Sequence, residues 1–156
     1  MEQVNAIKGV LCAIGAALTA LWGWFGWLVI CWILCMVIDY ATGSAAAVLA
    51  GKWSSKAARD GIWHKMGAVV VVIVAAILDM VIATTIEHIP AITLPFEYTV
   101  FFCPLVVVWC IITELGSITE NAGAMGAPVP PWLAKAIELL GDKVDAICDT
   151  ESEAKK

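Results

Sequence analysis

The sequence predicts an all-α fold, an integral membrane bundle of helices. Of its 156 residues, 62% are hydrophobic and only 15% are charged, whereas an average soluble domain carries about 25% charged residues. Four apolar runs reach, or nearly reach, the roughly 20 helical residues that cross a bilayer. Because these runs lack the alternating polarity of membrane strands, they favour helices.

The predicted spans cover about residues 4–22, 27–50, 66–86 and 96–115. The first is short, and it reaches spanning length only if Lys8 snorkels to the interface. Between the first two runs lie Trp22, Trp24 and Trp27. Tryptophan prefers the headgroup interface, and the two glycines among these residues permit a tight turn. This favours a hairpin and four spans; the alternative is one long tilted helix, which leaves three.

The basic residues predict the orientation. With four spans, all nine Lys and Arg residues fall on one side of the membrane, and the positive-inside rule makes that side cytoplasmic. Both termini are then cytoplasmic. We expect the link between the second and third spans to be a membrane-surface loop with a short helix capped by Ser54 or Ser55. Its cations, which suit anionic lipid headgroups, are Lys52, Lys56, Arg59 and Lys65.

Three carboxylates interrupt the apolar runs, namely Asp39, Asp79 and Glu114. A charge near the centre of a bilayer costs about 2.5–3.5 kcal/mol on insertion scales, so each should face protein, water or a partner. In the four-span arrangement they lie at different depths, which implies no single shared ion site. For Asp79 the sequence favours a buried polar contact over a proton relay. For Glu114, the simple interpretation is that its helix ends nearby, so that the carboxylate lies close to the membrane surface.

Small residues follow Asp39 along one predicted helix face. Steps of four residues reach Gly43, Ala47 and Gly51, and Thr42 begins a parallel row of small side chains. Such faces let helix backbones approach closely in a membrane. Two interpretations stay open: packing within one chain, and packing between copies with Asp39 as a polar contact or pore-lining group.

Residues 121–156 form a separate region, predicted as a Gly/Pro linker, an amphipathic helix and a charged cytoplasmic tail. Pro131 suits the first turn of that helix. Its apolar seam recurs at steps of four and three, with acids on the other side: Leu133, Ile137, Leu140, Val144 and Ile147. This helix is expected on the membrane, on its own bundle or against another subunit.

The sequence contains no recognisable catalytic constellation. It lacks GxSxG and HExxH motifs and a phosphate-binding glycine loop, and His64 and His88 are predicted on opposite sides of the membrane. Five of the six cysteines lie in apolar runs and act there as small hydrophobic residues. A net charge of −5 argues against nucleic-acid binding. We therefore predict no enzyme, no cofactor, no metal and no nucleic-acid partner.

Several short motifs follow one another in collinear order between about residues 28 and 140. They are Asp39-x-x-Thr42-Gly43, Gly51-Lys52-x-Ser54-Ser55-Lys56, Glu114-x-x-Ser117-Ile118-x-Glu120-Asn121 and Gly126-x-Pro128-x-Pro130. This ordered set resembles the phage lysis and toxin-secretion holin family, which includes the small membrane protein of clostridial toxin loci.

The resemblance implies a multi-pass holin of the bacterial inner membrane. Holins oligomerise into lesions that release a cytoplasmic endolysin, or a toxin, and trigger host lysis. The implied partners are further copies of the chain and membrane lipids, with the endolysin as a functional partner that need not touch it. One alternative is a small oligomeric transporter or ion channel that uses Asp39 or Asp79 as an intramembrane carboxylate. Another is a scaffold or accessory subunit.

Overall fold

The computed structural model describes residues 8–9, 12–13, 16, 25–89 and 100–153 of the chain. The four helices resolved in these ranges are α1 (Phe25–Leu49), α2 (Ser55–His88), α3 (Phe102–Ala124) and α4 (Pro131–Glu153), and the same ranges contain no strand. The predicted all-α fold is confirmed for this part of the chain. The predicted first span falls almost entirely outside the described residues, and so does the first half of the tryptophan hairpin, whose Phe25, Gly26 and Trp27 belong to α1. The choice between four spans and three stays a prediction.

Three of these helices, α1, α2 and α3, are long and apolar enough to cross a membrane, and they correspond to the predicted second, third and fourth spans. Their outer surfaces are apolar; Val37 on α1 is 62% exposed and Val74 on α2 is 58% exposed. Contiguous exposed apolar side chains of this kind mark a surface that contacts lipid or protein rather than water. The amphipathic helix α4 is not among the candidate spans.

The predicted helix capped at Ser54 or Ser55 is present, but it is not separate from the third span, because the chain is one continuous helix from Ser55 onward. Ser54 starts the helix: its side-chain oxygen accepts a hydrogen bond from the backbone N–H of Ala57 at 3.1 Å. Lysine, arginine and alanine, which favour helices, follow this cap. The segment therefore forms about three additional turns at the start of α2.

The interpretation that the last helix ends near Glu114 is wrong, since α3 continues to Ala124. A glycine with positive φ follows only at Gly126, where φ is +88°. The N–H of Ala127 bonds to the carbonyl of Ala122 at 3.0 Å, which closes the helix end. Glu114 consequently lies well inside its helix.

Gly51 ends α1 by the same geometry. Its φ is +67°, and the N–H of Lys52 bonds to the carbonyl of Ala47 at 2.9 Å while that of Gly51 bonds to Val48 at 3.0 Å. This is the Schellman pattern, which needs a left-handed residue. Gly51 therefore lies beyond the helix and does not extend the small face predicted from Asp39.

The central helix of the described bundle is α3, which packs against α1, α2 and α4, whereas α1 and α2 touch each other little. The apolar core lies where the three spanning helices meet, around the fully buried Val107. It consists of Phe25, Trp32, Ala75, Cys103, Val107 and Cys110. Apart from Asp79, which bonds to Cys103 of this core, the polar side chains that join the helices lie in the other half of the bundle, near the turn between α1 and α2.

Candidate functional site

A charged network joins the three spanning helices. The Lys65 Nζ on α2 donates to Oδ2 of Asp39 on α1 at 3.0 Å and to Oε2 of Glu114 on α3. The side chains of Lys65, Asp39 and Glu114 are 19%, 18% and 11% exposed. Away from bulk water an unpaired charge is strongly destabilising, so the ammonium group and the two carboxylates stabilise one another. One cation thus connects α2 to both neighbouring helices.

Asn121 extends this network along α3. Its side-chain Nδ2 donates to Oδ1 of Asp39 at 2.9 Å and to Oγ1 of Thr42 at 3.4 Å. Both carboxylate oxygens of Asp39 are therefore bound, one by Lys65 and the other by Asn121. The Thr42 hydroxyl in turn donates to the carbonyl of Ile38 at 2.9 Å.

Gly43 lies against the amide of Asn121. A Cβ at this position would lie 3.3 Å from Nδ2 of Asn121, which is tighter than an ordinary van der Waals contact. The missing side chain therefore lets α1 and α3 approach closely. Gly43 therefore takes part in packing within one chain, which is one of the two interpretations of the small helix face. Packing of that face between copies stays a prediction.

A cavity of about 520 Å³ lies beside the network, between α1 and α2 and bordered by α3. All three charged residues of the network line it. So do small residues from both flanking helices, namely Gly43, Ala47, Ala57, Ala58, Gly61 and Ala68. The wall is mostly apolar, but a cavity of this size that three charged side chains line has room for water and polar partners for it. The charged groups thus face a space that water can occupy inside a bundle with an apolar exterior.

Asp79 is separate from this network. It is 2% exposed, and its carboxylate accepts hydrogen bonds from the backbone N–H groups of Phe101, Phe102 and Cys103 at 3.1, 3.0 and 2.7 Å. The first N–H groups of a helix have no acceptor within it, and the helix dipole favours a negative charge there. Since Phe101 provides no side-chain cap, Asp79 of α2 caps α3. This is the buried polar contact that the sequence favours.

Of the three carboxylates predicted at different depths, Asp79 lies apart from the other two, but Lys65 pairs with both Asp39 and Glu114 and brings them to one site. The assignment of Lys65 to a surface loop is wrong. Since α2 begins at Ser55, Lys65 lies about three turns inside a helix, where its side chain reaches the two carboxylates. The other three predicted surface cations are exposed as expected: Lys52, Lys56 and Arg59.

Asn121 is the functional candidate that the sequence analysis misses, because it assigns this residue to the linker. A signal is present once α3 is extended. Asn121 follows Glu114 by seven residues, which is two helical turns and places both on one face. Among the residues that the structure describes, no group of three or more His, Cys, Asp or Glu is placed to hold a metal ion.

Comparison with known proteins gives one family. Residues 16–142 match the family described as the bacteriophage holin family, a range that includes the whole network. An uncharacterized protein of Halalkalibacterium halodurans is 35% identical over 138 residues, which are 88% of this chain and 96% of that protein. An uncharacterized 14.9 kDa protein from the nagH 3′ region of Clostridium perfringens is 28% identical over 144 residues, 92% of this chain and 99% of that protein. No solved structure matches the chain.

Proposed function

Because this chain belongs to the bacteriophage holin family, we propose that it is a holin of the bacterial inner membrane. It oligomerises and forms lesions that release a cytoplasmic endolysin, or a toxin, and thereby trigger lysis of the host. The observation that carries this proposal is the charged, cavity-lining network inside a bundle of three apolar spanning helices. Such a bundle is stable in lipid and still presents polar groups to water.

The size of the cargo requires several copies of the chain. A folded domain of about 100 residues has a radius of gyration of about 13 Å, so its passage needs an opening more than about 26 Å wide. A helix with its side chains is only about 10–12 Å across. Three or four helices cannot enclose such an opening, and a lesion must therefore be bounded by many subunits.

The proposed orientation places the turn between α1 and α2 in the cytoplasm. Lys52, Lys56 and Arg59 are exposed at this end of the bundle, and positive charge is retained on the cytoplasmic side. Because α3 runs toward the same end, α4 starts there as well. The three cations contact anionic lipid headgroups, each contributing about 1 kcal/mol to membrane binding.

The alternative of a transporter or ion channel has less support from the carboxylates it would use. Both oxygens of Asp39 are bound, by Lys65 and Asn121. Asp79 accepts three backbone hydrogen bonds at the start of α3. A carboxylate that couples transport must exchange its proton or ion, whereas these two have structural partners.

Induction of the chain in a bacterium tests the proposal, with and without a cytoplasmic endolysin. A holin gives abrupt permeabilisation after a fixed delay, release of a folded cytoplasmic reporter enzyme, and lysis only when the endolysin is present. Solute-dependent flux in cells that survive and retain the reporter would contradict the proposal and favour a transporter.

Gly43→Leu is expected to delay or abolish killing at equal membrane abundance. A leucine side chain would displace the Asn121 amide, because even its Cβ would lie only 3.3 Å from Nδ2 of that amide, and it would push α1 away from α3. The matched control is Ala45→Leu, which enlarges an exposed residue on the same helix. The measurement is the time from induction to loss of membrane potential; equal timing in both variants would count against this close contact.

A further inference from the structure

The amphipathic helix α4 lies antiparallel along α3. A Cβ on Gly116 of α3 would lie 3.9 Å from Cγ2 of Ile137 on α4. Reciprocally, a Cβ on Gly141 of α4 would lie 3.8 Å from Cγ2 of Ile112 on α3. Each glycine thus receives an isoleucine of the other helix, so the two backbones approach closely. Residue numbers rise along α4 as they fall along α3, which fixes the antiparallel direction.

The contact continues toward the start of α3. Nε1 of Trp109 donates to Oδ1 of Asp145 at 3.0 Å, and Val144 is buried. At 1.5 Å per residue, Trp109 lies roughly 10 Å from the first residue of α3 and Ile112 roughly 15 Å. The hydrocarbon core of a bilayer is about 30 Å thick. When α3 spans the membrane, the middle of α4 therefore lies at the depth of the lipid chains.

At that depth α4 exposes a charged face. Four of its exposed charged residues have no contact with α3 among the described hydrogen bonds, whereas Asp145 is exposed beside its bond to Trp109; the four are Lys135, Glu138, Asp142 and Lys143. Of the predicted apolar seam only Val144 is buried, and Leu133, Leu140 and Ile147 are exposed. Steps of four and three residues align Glu138, Asp142 and Asp145 along the helix. Charged groups that face hydrocarbon carry a large energetic cost. This face of α4 must therefore have water or compensating charge beside it.

The spanning helices offer no free compensating charge at this depth among the described residues. Lys65 is already paired with Asp39 and Glu114. The remaining cations of this region, Lys52, Lys56 and Arg59, lie at the cytoplasmic end. A neighbouring copy would bring the same three carboxylates and two ammonium groups, and pairing them in hydrocarbon would cost the desolvation of every charge. Water is thus the environment that fits the charged face of α4.

We propose that α4 lines the aqueous opening of the assembled lesion, held against α3 at bilayer depth with its charged face toward water. The inference rests on the proposed holin function, and it identifies the surface of the chain that bounds the opening. A single chain surrounded by lipid would hold α4 in this position only at high cost. Enclosure of water by many copies removes that cost, which couples docking of α4 to opening of the lesion.

Two double variants of the full chain test this inference in planar bilayers and in induced cells. Glu138→Leu with Asp142→Leu makes the face apolar and is expected to abolish release of a folded reporter at equal membrane abundance. Glu138→Lys with Asp142→Lys keeps the face hydrated and is expected to retain release. In a KCl gradient, the reversal potential of this lysine variant should shift toward chloride permeation.

The control is Asp60→Lys with Glu120→Lys, which makes the same charge change at exposed positions near the cytoplasmic end and should shift the reversal potential much less. Two outcomes would overturn the inference. The first is loss of release in the lysine variant, which would indicate that the face binds a partner by charge. The second is normal release in both the leucine and the lysine variant, together with a reversal potential in the lysine variant that equals that of the unmodified chain. Absence of lesions with the unmodified chain would instead overturn the proposed function.

Discussion

Lys65→Met is expected to destabilise the bundle by about 3 kcal/mol, the lower end of the range for breaking a buried ion pair. The substitution leaves Asp39 and Glu114 without their shared cation, 18% and 11% exposed. The adjacent cavity hydrates them in part, which keeps the loss at this lower end. The measurement is the free energy of unfolding in detergent micelles or bicelles, with the loss of helix content as the signal that reports unfolding.

Lys56→Met is the matched control, because it removes the same charge from an exposed position on the same helix; we expect a change of less than about 0.5 kcal/mol. A triple variant separates charge from shape. Adding Asp39→Asn and Glu114→Gln to Lys65→Met removes the stranded charges and should recover most of the lost stability. Equal stability of the two methionine variants, or no recovery in the triple variant, would contradict the network.

Asp79→Ala is expected to destabilise the chain by about 2–3 kcal/mol, because it leaves three N–H groups, one buried and two partly buried, without their acceptor at about 1 kcal/mol each. The backbone amides concerned are those of Phe101, Phe102 and Cys103. Their hydrogen exchange should accelerate before that of the middle of α3. Asp79→Asn keeps one acceptor oxygen and should lose less stability than the alanine variant.

The control for Asp79 is Glu87→Ala, which removes an exposed acid from the same helix two turns later. Stability should change little in this control, and exchange at the start of α3 should stay slow. If Asp79→Ala left both quantities as they are in the Glu87→Ala variant, Asp79 would not be the cap of α3.

The spanning helices could be predicted from sequence because the requirement for them is local. A bilayer needs about 20 consecutive apolar residues, and the runs that contain Val37, Val74 and Val107 satisfy that requirement without reference to the rest of the chain. The helix ends were harder. Ser54 could be identified as a cap, yet the length of the helix after it depended on whether the basic segment preferred a helix or a loop.

The polar network could not be predicted, because its contacts are long-range. Asp39 and Asp79 look alike in the sequence, each a lone aspartate in an apolar run. The structure gives Asp39 a lysine 26 residues away and gives Asp79 a helix start 22 residues away. Which partner each one meets depends on how the helices are rotated and how deep they lie, and hydropathy alone records neither.

The most direct test of the central claim is release of a folded enzyme from liposomes. The full chain is reconstituted into vesicles of phosphatidylethanolamine and phosphatidylglycerol that contain both a small dye and a folded enzyme of endolysin size. The holin assignment predicts that, above a threshold protein density, the enzyme escapes together with the dye. Vesicles that leak ions or dye at every density but always retain the enzyme would contradict it.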